Sequence, residues 1–319
     1  MNLRKEILVT GAAGFVGRET VKQLLAEGWK VRALVRTADT NPLAFHAGLS
    51  VQEVGDIAAV ADWSSLVSGC DVVVHLAARA HKTGEGPNAA RELFRRVNVD
   101  ATVELAKAAA AARVKRLVFV SSAGVMGDFS ARPFTEADPP QPASEYAISK
   151  WQAEQALREI CRQSNMELVV LRPVLVYGPG NPGNLERLMR LVASGLPLPL
   201  ASVDNRRSLL NVRHLATIIG RALELAEANG KTVLLADGND LSTPELVRTF
   251  AKGMGIKARL FPIPPLLLLA AARLLGRSHD AERLLGSLQV DVTLKTNLFG
   301  ALPREETLRG LIETGQAGR

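Results

Sequence analysis

The sequence predicts an α/β fold: a doubly wound parallel sheet with helices on both faces, followed by a smaller C-terminal substrate-binding domain. Three observations predict it. Short runs rich in Val, Leu and Ile recur through the first half, separated by segments with helical apolar spacing. The runs are apolar almost without interruption, as strands buried on both faces read. After Leu171 the texture changes to Pro- and Gly-rich loops and shorter elements, from Arg172-Pro173-Val174 to Arg319.

The elements follow in order. Glu6 to Thr10 (EILVT) is a β-branched run, then comes a Gly-rich turn, then apolar residues at helical spacing over Glu19 to Glu27. Lys30 to Val35, Leu49 to Val54, Asp71 to Leu76, Arg116 to Ser121 and Glu167 to Leu171 read as further strands. Ala89 to Arg113 and Glu145 to Gln163 read as long Ala-rich helices, whose small residues permit close packing and a homodimer through these faces. The expected division is a first domain over residues 1–171, rejoined by part of 205–235, and a second over 172–319.

Composition narrows the function classes. With 47% hydrophobic and 22% charged residues in a chain of 319, the sequence is that of a folded globular protein, neither disordered nor fibrous. The net charge is +7, from 39 basic and 32 acidic residues, but no aromatic-rich basic tract, zinc-finger spacing or basic heptad accompanies it, so no nucleic-acid partner is expected. Cys70 and Cys161 lie far apart without metal-like spacing, which predicts no disulfide scaffold and no metal site. No secretory apolar region precedes the first strand, and a cytoplasmic location is expected. The longest apolar stretch, Pro262 to Leu275, is too short for a membrane span and reads as a buried or interfacial helix.

Thr10-Gly11-Ala12-Ala13-Gly14-Phe15-Val16-Gly17 places glycines at three-residue spacing between the first strand and first helix. That is the arrangement of Rossmann dinucleotide-binding folds, where backbone approaches a pyrophosphate and the helix N-terminus faces its charge. The acid that would bind a ribose 2′-hydroxyl after the second strand is replaced by Val35-Arg36. Arg36 could pair with a 2′-phosphate, which leans toward NADP(H) over NAD(H), or be a solvated surface arginine. Asp56, before Ile57, could accept from an adenine amino group or cap a helix. Tyr146 and Lys150 stand four apart on one helical face, where a positive charge would lower the phenol pKa. Ser121 and Ser122 end the strand just upstream.

Together the glycine loop, Ser122, Tyr146/Lys150, Val97-Asn98-Val99 and Leu171-Arg172-Pro173 resemble the extended short-chain dehydrogenase/reductase superfamily, the NAD-dependent epimerase/dehydratase family, along essentially the whole chain. The resemblance implies NAD(P)(H) contacts at Gly11, Gly14, Phe15, Val16, Gly17, Arg36, Asp56, Ile57, Leu76, Ala77, Ala78, Asn98, Tyr146, Lys150 and Pro173. It makes Tyr146 the catalytic acid/base, Lys150 its electrostatic partner and ribose ligand, and Ser122 the holder of the substrate oxygen. A UDP-sugar would meet Arg79, His81, Ser122, Ala123, Tyr146, Asn184, Leu185 and Arg207. Two positions depart from the pattern: Met126 replaces the tyrosine of a Val-Tyr-Gly run, and Leu175 replaces an asparagine before Val176-Tyr177-Gly178-Pro179. The implied function is reduction of a UDP-4-keto-6-deoxy-N-acetylhexosamine for surface polysaccharide. The alternatives are a UDP-hexose 4-epimerase (UDP-glucose or UDP-GlcNAc) and a catalytically silent NAD(P)-binding scaffold.

Overall fold

The computed structural model describes residues 5–37, 46–80, 86–274, 276 and 278–318. In chain order the elements are β1 (Glu6–Thr10), α1 (Phe15–Ala26), β2 (Lys30–Val35), β3 (Leu49–Glu53), α2 (Trp63–Val67), β4 (Val72–His75), α3 (Pro87–Arg95), α4 (Ala101–Ala111), β5 (Arg116–Val120), α5 (Glu145–Gln163) and β6 (Glu167–Pro173). There follow β7 (Leu175–Tyr177), α6 (Asn184–Ala193), β8 (Leu209–Asn211), α7 (Val212–Glu224), β9 (Thr232–Leu235), α8 (Thr243–Gly253), α9 (Pro265–Leu274), α10 (Ser278–Leu285), α11 (Thr293–Phe299) and α12 (Arg304–Ala317). Seven strands form one sheet in the order β3-β2-β1-β4-β5-β6-β9, and β7 pairs with β8 in a small second sheet. The pairings from β3 through β6 are all parallel.

The strand order reverses between β1 and β4, and the crevice outside their carboxyl ends is where such sheets bind ligands. Leu8, Leu105, Leu117, Phe119 and Val170 are wholly inaccessible in the core on one face of this sheet. Truncating any of these leucines to alanine costs about 2–5 kcal/mol, so the sheet is a stiff platform for the loops at its edge.

The chain divides into two compact units. The first comprises residues 1–126, 139–173 and 213–233, and the second 127–138, 174–212 and 234–319. The excursion of 127–138 has a backbone reason: Ser130 and Phe134 N–H donate to the carbonyls of Ser287 and Gln289, and Asp291 N–H donates back to Phe134. Nothing local in the sequence announces those partners.

The helix expected over Ala89 to Arg113 is interrupted. α3 and α4 are joined by a wide π turn over Arg96–Asp100, a feature that often marks a functional position in a helix. The apolar stretch from Pro262 forms a helix, α9, as expected, but not a buried one. α9 carries no buried residue at all, which removes the buried-helix reading. No helix among the described residues is long and apolar enough to cross a membrane.

Candidate active site

The glycine loop is shaped by close approach. Gly11 has φ +67°, and a Cβ there would stand 2.8 Å from the Ala77 nitrogen. A Cβ on Gly17 would lie 2.1 Å from the Gly11 carbonyl oxygen, so only glycine lets α1 start this close to the end of β1. Gly14 caps α1 without any side-chain hydrogen bond, and no acid occupies the first turn. The N–H groups of Phe15 and Val16 are thus left to an anionic ligand, which suits a dinucleotide pyrophosphate.

Beneath this loop lies a hydrogen-bond chain that the sequence did not announce. The Thr102 hydroxyl donates to the Asn98 carbonyl at 2.8 Å, so toward His75 Nε2, 2.8 Å away, it can only accept. His75 therefore carries its proton on Nε2. Its Nδ1 then accepts from the Thr10 hydroxyl at 2.7 Å, and Thr10 Oγ1 accepts from the N–H groups of Leu76 and Ala77, each at 3.2 Å. Complete burial, and secondarily the positive charge of Lys150, push the imidazole down to about 3. The neutral ring pins the end of β1 to the 76–78 loop, both expected to touch cofactor.

Asn98 sits in the π turn and is 1% exposed. Its Oδ1 accepts from Arg79 N–H at 2.8 Å, and its Nδ2 donates to the Arg79 carbonyl and to Ser149 Oγ. Ser149 Oγ in turn donates to the Tyr146 carbonyl at 2.8 Å. Through these bonds Asn98 ties the 76–80 loop to the first turn of α5. The Arg79 guanidinium lies 5.9 Å over the Phe94 ring, which meets Tyr146 edge-on at 6.3 Å. His81 lies outside the described residues.

Ser122, Tyr146 and Lys150 come together in the first unit. Ser122 follows β5, caps the turn Ala123–Val125 by accepting from Gly124 N–H at 3.1 Å, and its hydroxyl favours ionisation of the Tyr146 phenol. Ser144 caps α5 through Ala147 N–H, which fixes the register of the helix carrying the phenol. The Lys150 ammonium lies 4.1 Å from the centre of the Phe119 ring, on which His75 also stacks. The spacing predicted a phenol lowered by the ammonium. Instead burial raises Tyr146 to about 12, opposed by the Ser122 hydroxyl. Lys150 yields instead: burial pushes it down to about 7, with Glu154 pulling the other way.

One turn further along α5, Glu154 is fully buried and accepts from Ser121 Oγ at 2.5 Å and from Arg172 Nε and Nη2 at 3.0 and 2.6 Å. The Arg172 guanidinium stacks 5.5 Å from the Trp151 ring and its Nη1 meets Met126 Sδ at 2.9 Å. Met126, where the family pattern has tyrosine, is therefore a packing residue on this ion pair. Ala123 and Pro173 are both buried.

The remaining predicted residues are placed as follows. Arg36 is exposed just past β2. Asp56 accepts from Ala58 N–H at 3.1 Å as a cap and lies 3.8 Å from Arg96, leading into the turn at Ile57. In the second unit, Asn184 is exposed at the start of α6, whereas the Leu185 side chain belongs to that unit's core, leaving only its backbone for a ligand. Arg207 Nη1 donates to the carbonyls of Arg283 and Gly286 at 2.6 and 2.9 Å, and burial lowers its pKa.

Comparison with known proteins places this geometry. The family model for the NAD dependent epimerase/dehydratase family matches residues 7–236. A UDP-glucose 4-epimerase of Vibrio cholerae is 38% identical over 98% of this chain and 95% of its own length. An Escherichia coli O157:H7 protein, N-acetyl-alpha-D-glucosaminyl-diphospho-ditrans,octacis-undecaprenol 4-epimerase, is 28% identical over 82% of this chain and 76% of its own. Among solved structures, the UDP-N-acetylglucosamine 4-epimerase from Methanobrevibacter ruminantium M1, in complex with UDP-N-acetylmuramic acid, shares the fold with a TM-score of 0.80 at 21% identity, covering 98% of each chain. With the model spanning well over half of the chain and a relative of this identity along nearly all of it, the chain belongs to the NAD dependent epimerase/dehydratase family, NAD(P)-binding enzymes of the epimerase and reductase type.

Proposed function

We propose that this chain oxidises and reduces C4 of a hexose joined through a diphosphate to uridine, a UDP-sugar. The observation that carries the reading is the assembly of Ser122, Tyr146 and Lys150 at the carboxyl end of the sheet, on the strand and helix that follow the glycine loop and the His75 chain. The relatives from Vibrio and Escherichia are both named for a sugar carried on a diphosphate. Arg207 is assigned to that diphosphate, and Asn184 and the Leu185 backbone to the uracil or the diphosphate.

The cradle at Gly11 and Gly17, which a Cβ would fill, and the uncapped start of α1 suit a dinucleotide. The glycine loop and Lys150 would hold a nicotinamide dinucleotide, which would supply hydride transfer at the sugar carbon. The chain's own part is proton handling and orientation. Tyr146 takes the proton from the O4 hydroxyl, or returns it to the developing alkoxide. Ser122 holds that oxygen in line with the phenol. Lys150 holds the cofactor ribose and offsets negative charge on the phenolate. The first reading is 4-epimerisation of a UDP-hexose, favoured by the Vibrio relative. The second is one-way reduction of a UDP-4-keto-6-deoxy-N-acetylhexosamine, favoured by a Tyr146 phenol that burial keeps protonated and ready to donate.

Purified protein decides between them. Interconversion of UDP-glucose and UDP-galactose, or of UDP-GlcNAc and UDP-GalNAc, without added reduced nicotinamide is the expected result. Stoichiometric loss of NADH or NADPH absorbance with the 4-keto sugar would establish the reductase instead. Cofactor bound but inert toward all of these sugars would leave a scaffold and defeat the proposal.

Arg36, exposed past β2, is assigned to a 2′-phosphate, so Arg36→Ala is expected to weaken NADPH more than NADH in fluorescence titration; equal losses would remove the assignment. A cytosolic homodimer through α4 and α5 completes the reading.

A further inference from the structure

Arg207 is gripped on one side and open on the other. Its Nη1 is spent on the carbonyls of Arg283 and Gly286 at 2.6 and 2.9 Å. Among the described residues its Nε and Nη2 make no hydrogen bond, and neither atom is sealed from solvent. Those two groups are the parallel N–H fork by which arginine takes a phosphate or a carboxylate. The backbone holds the fork still, since Arg207 N–H donates to the Leu241 carbonyl and Leu241 N–H donates back.

A second cation and one acid act on it. Burial, and then the charge of Arg283, hold the Arg207 pKa down, while the charge of Asp128 supports it. Arg283 Nη2 lies 3.6 Å from Asp128 Oδ2, so two arginines share this carboxylate. Among the described residues Asp128 is the one acid that supports the Arg207 charge, although Glu282 adjoins Arg283 in sequence. Its own segment puts it there. Ser130 N–H donates to the Ser287 carbonyl and Gln289 N–H to Ser130 Oγ at 2.7 Å. Between them the Phe129 ring lies so near Gly286 that a Cβ on that glycine would stand 2.6 Å from it. The Asp128 side chain is only 17% exposed, a setting in which an acid needs positive charge beside it. The contact is nonetheless loose. At 3.6 Å it is an ion pair without a hydrogen bond, and it does not engage the Arg207 fork.

We propose that Asp128 is a counter-anion that competes with the substrate's diphosphate for Arg207 and Arg283, and so sets how tightly the nucleotide sugar is held. Without a diphosphate it neutralises the arginine pair. When a diphosphate takes the fork of Arg207, the arginines exchange one anion for another, and repulsion from the nearby carboxylate speeds its release. The inference rests on the assignment of Arg207 to the diphosphate. UDP binding to the full chain is to be measured by titration calorimetry at low and high sodium chloride. Asp128→Asn is expected to lower the Kd for UDP by about threefold or more at low salt. The gain should shrink at high salt, which screens the charge that was removed. Without UDP the same variant should melt below the parent, because two arginines then face each other without compensation.

A carboxylate with a purely structural role would lower the melting temperature and leave UDP affinity unchanged or weaker. That result overturns the inference. Asp128→Ser removes the same charge and serves the same test where the amide variant does not fold. Arg207→Ala reports on the diphosphate assignment by itself. If it leaves UDP affinity at the parental value, that assignment fails and the inference fails with it. If it weakens UDP while Asp128→Asn does not tighten it, the assignment stands and the role of Asp128 alone is overturned.

Discussion

Tyr146→Phe is expected to lower turnover at the sugar carbon by about a hundred- to ten-thousand-fold, the range that positioned proton transfer contributes, with nicotinamide binding nearly intact. The substitution removes only the hydroxyl. The ring keeps its edge contact with Phe94, and Ser149 and Asn98 still hold the first turn of α5. Retention of more than about a tenth of the parental rate would transfer the acid/base role elsewhere. The accompanying pH profile has a definite sign. In the reductive direction Tyr146 must start protonated, and a phenol pushed up to about 12 remains so through the working range. Lys150 must carry charge as the phenolate forms, and it loses its proton around pH 7. Reduction is therefore expected to be flat below about 7 and to fall above it, whereas oxidation, which needs the phenolate, rises with pH. In Lys150→Met the falling limb of the reductive profile should disappear along with most of the rate.

The parts of this site visible in the sequence depend on short spacings. Gly11, Gly14 and Gly17 form one turn, and Tyr146 and Lys150 lie one helical turn apart, so a reader of the chain meets them side by side. The parts that were not visible join residues far apart: Thr10 with His75 across 65 positions, His75 with Thr102 across 27, Glu154 with Arg172 across 18. A strand-ending His75 has no local pattern to distinguish it. Asn98 could be placed by resemblance, but only the structure reveals that its amide fastens a loop to α5. Glu154 did leave a trace. It sits on the buried stripe Ala147, Lys150, Ala153, Leu157, Cys161 of α5, and a carboxylate on an otherwise inward face requires a buried cation. The second half was less legible because its short elements are specified by tertiary contacts more than by periodicity, as the pairing of 127–138 with 287–291 illustrates.

That carboxylate carries the other large effect. Glu154→Gln would leave the Arg172 guanidinium, itself buried, without its counter-charge, and Arg172→Met would strand the carboxylate; each is expected to cost about 3–5 kcal/mol in denaturant unfolding. The double variant Glu154→Leu/Arg172→Met should recover much of that loss, because two apolar side chains need no solvation and Met126 and Trp151 already line the pocket. Stability is not the pair's whole role. Glu154 is the group that holds the Lys150 pKa up against burial, so in the double variant the lysine should lose its proton at lower pH. The falling limb of the reductive pH profile then moves below that of the parent, even where stability has been restored. A double variant with parental stability and an unmoved limb would confine the pair to packing. A limb displaced to lower pH would make Glu154 a positioning residue that keeps Lys150 charged near neutrality, reaching the reacting atoms through one turn of helix.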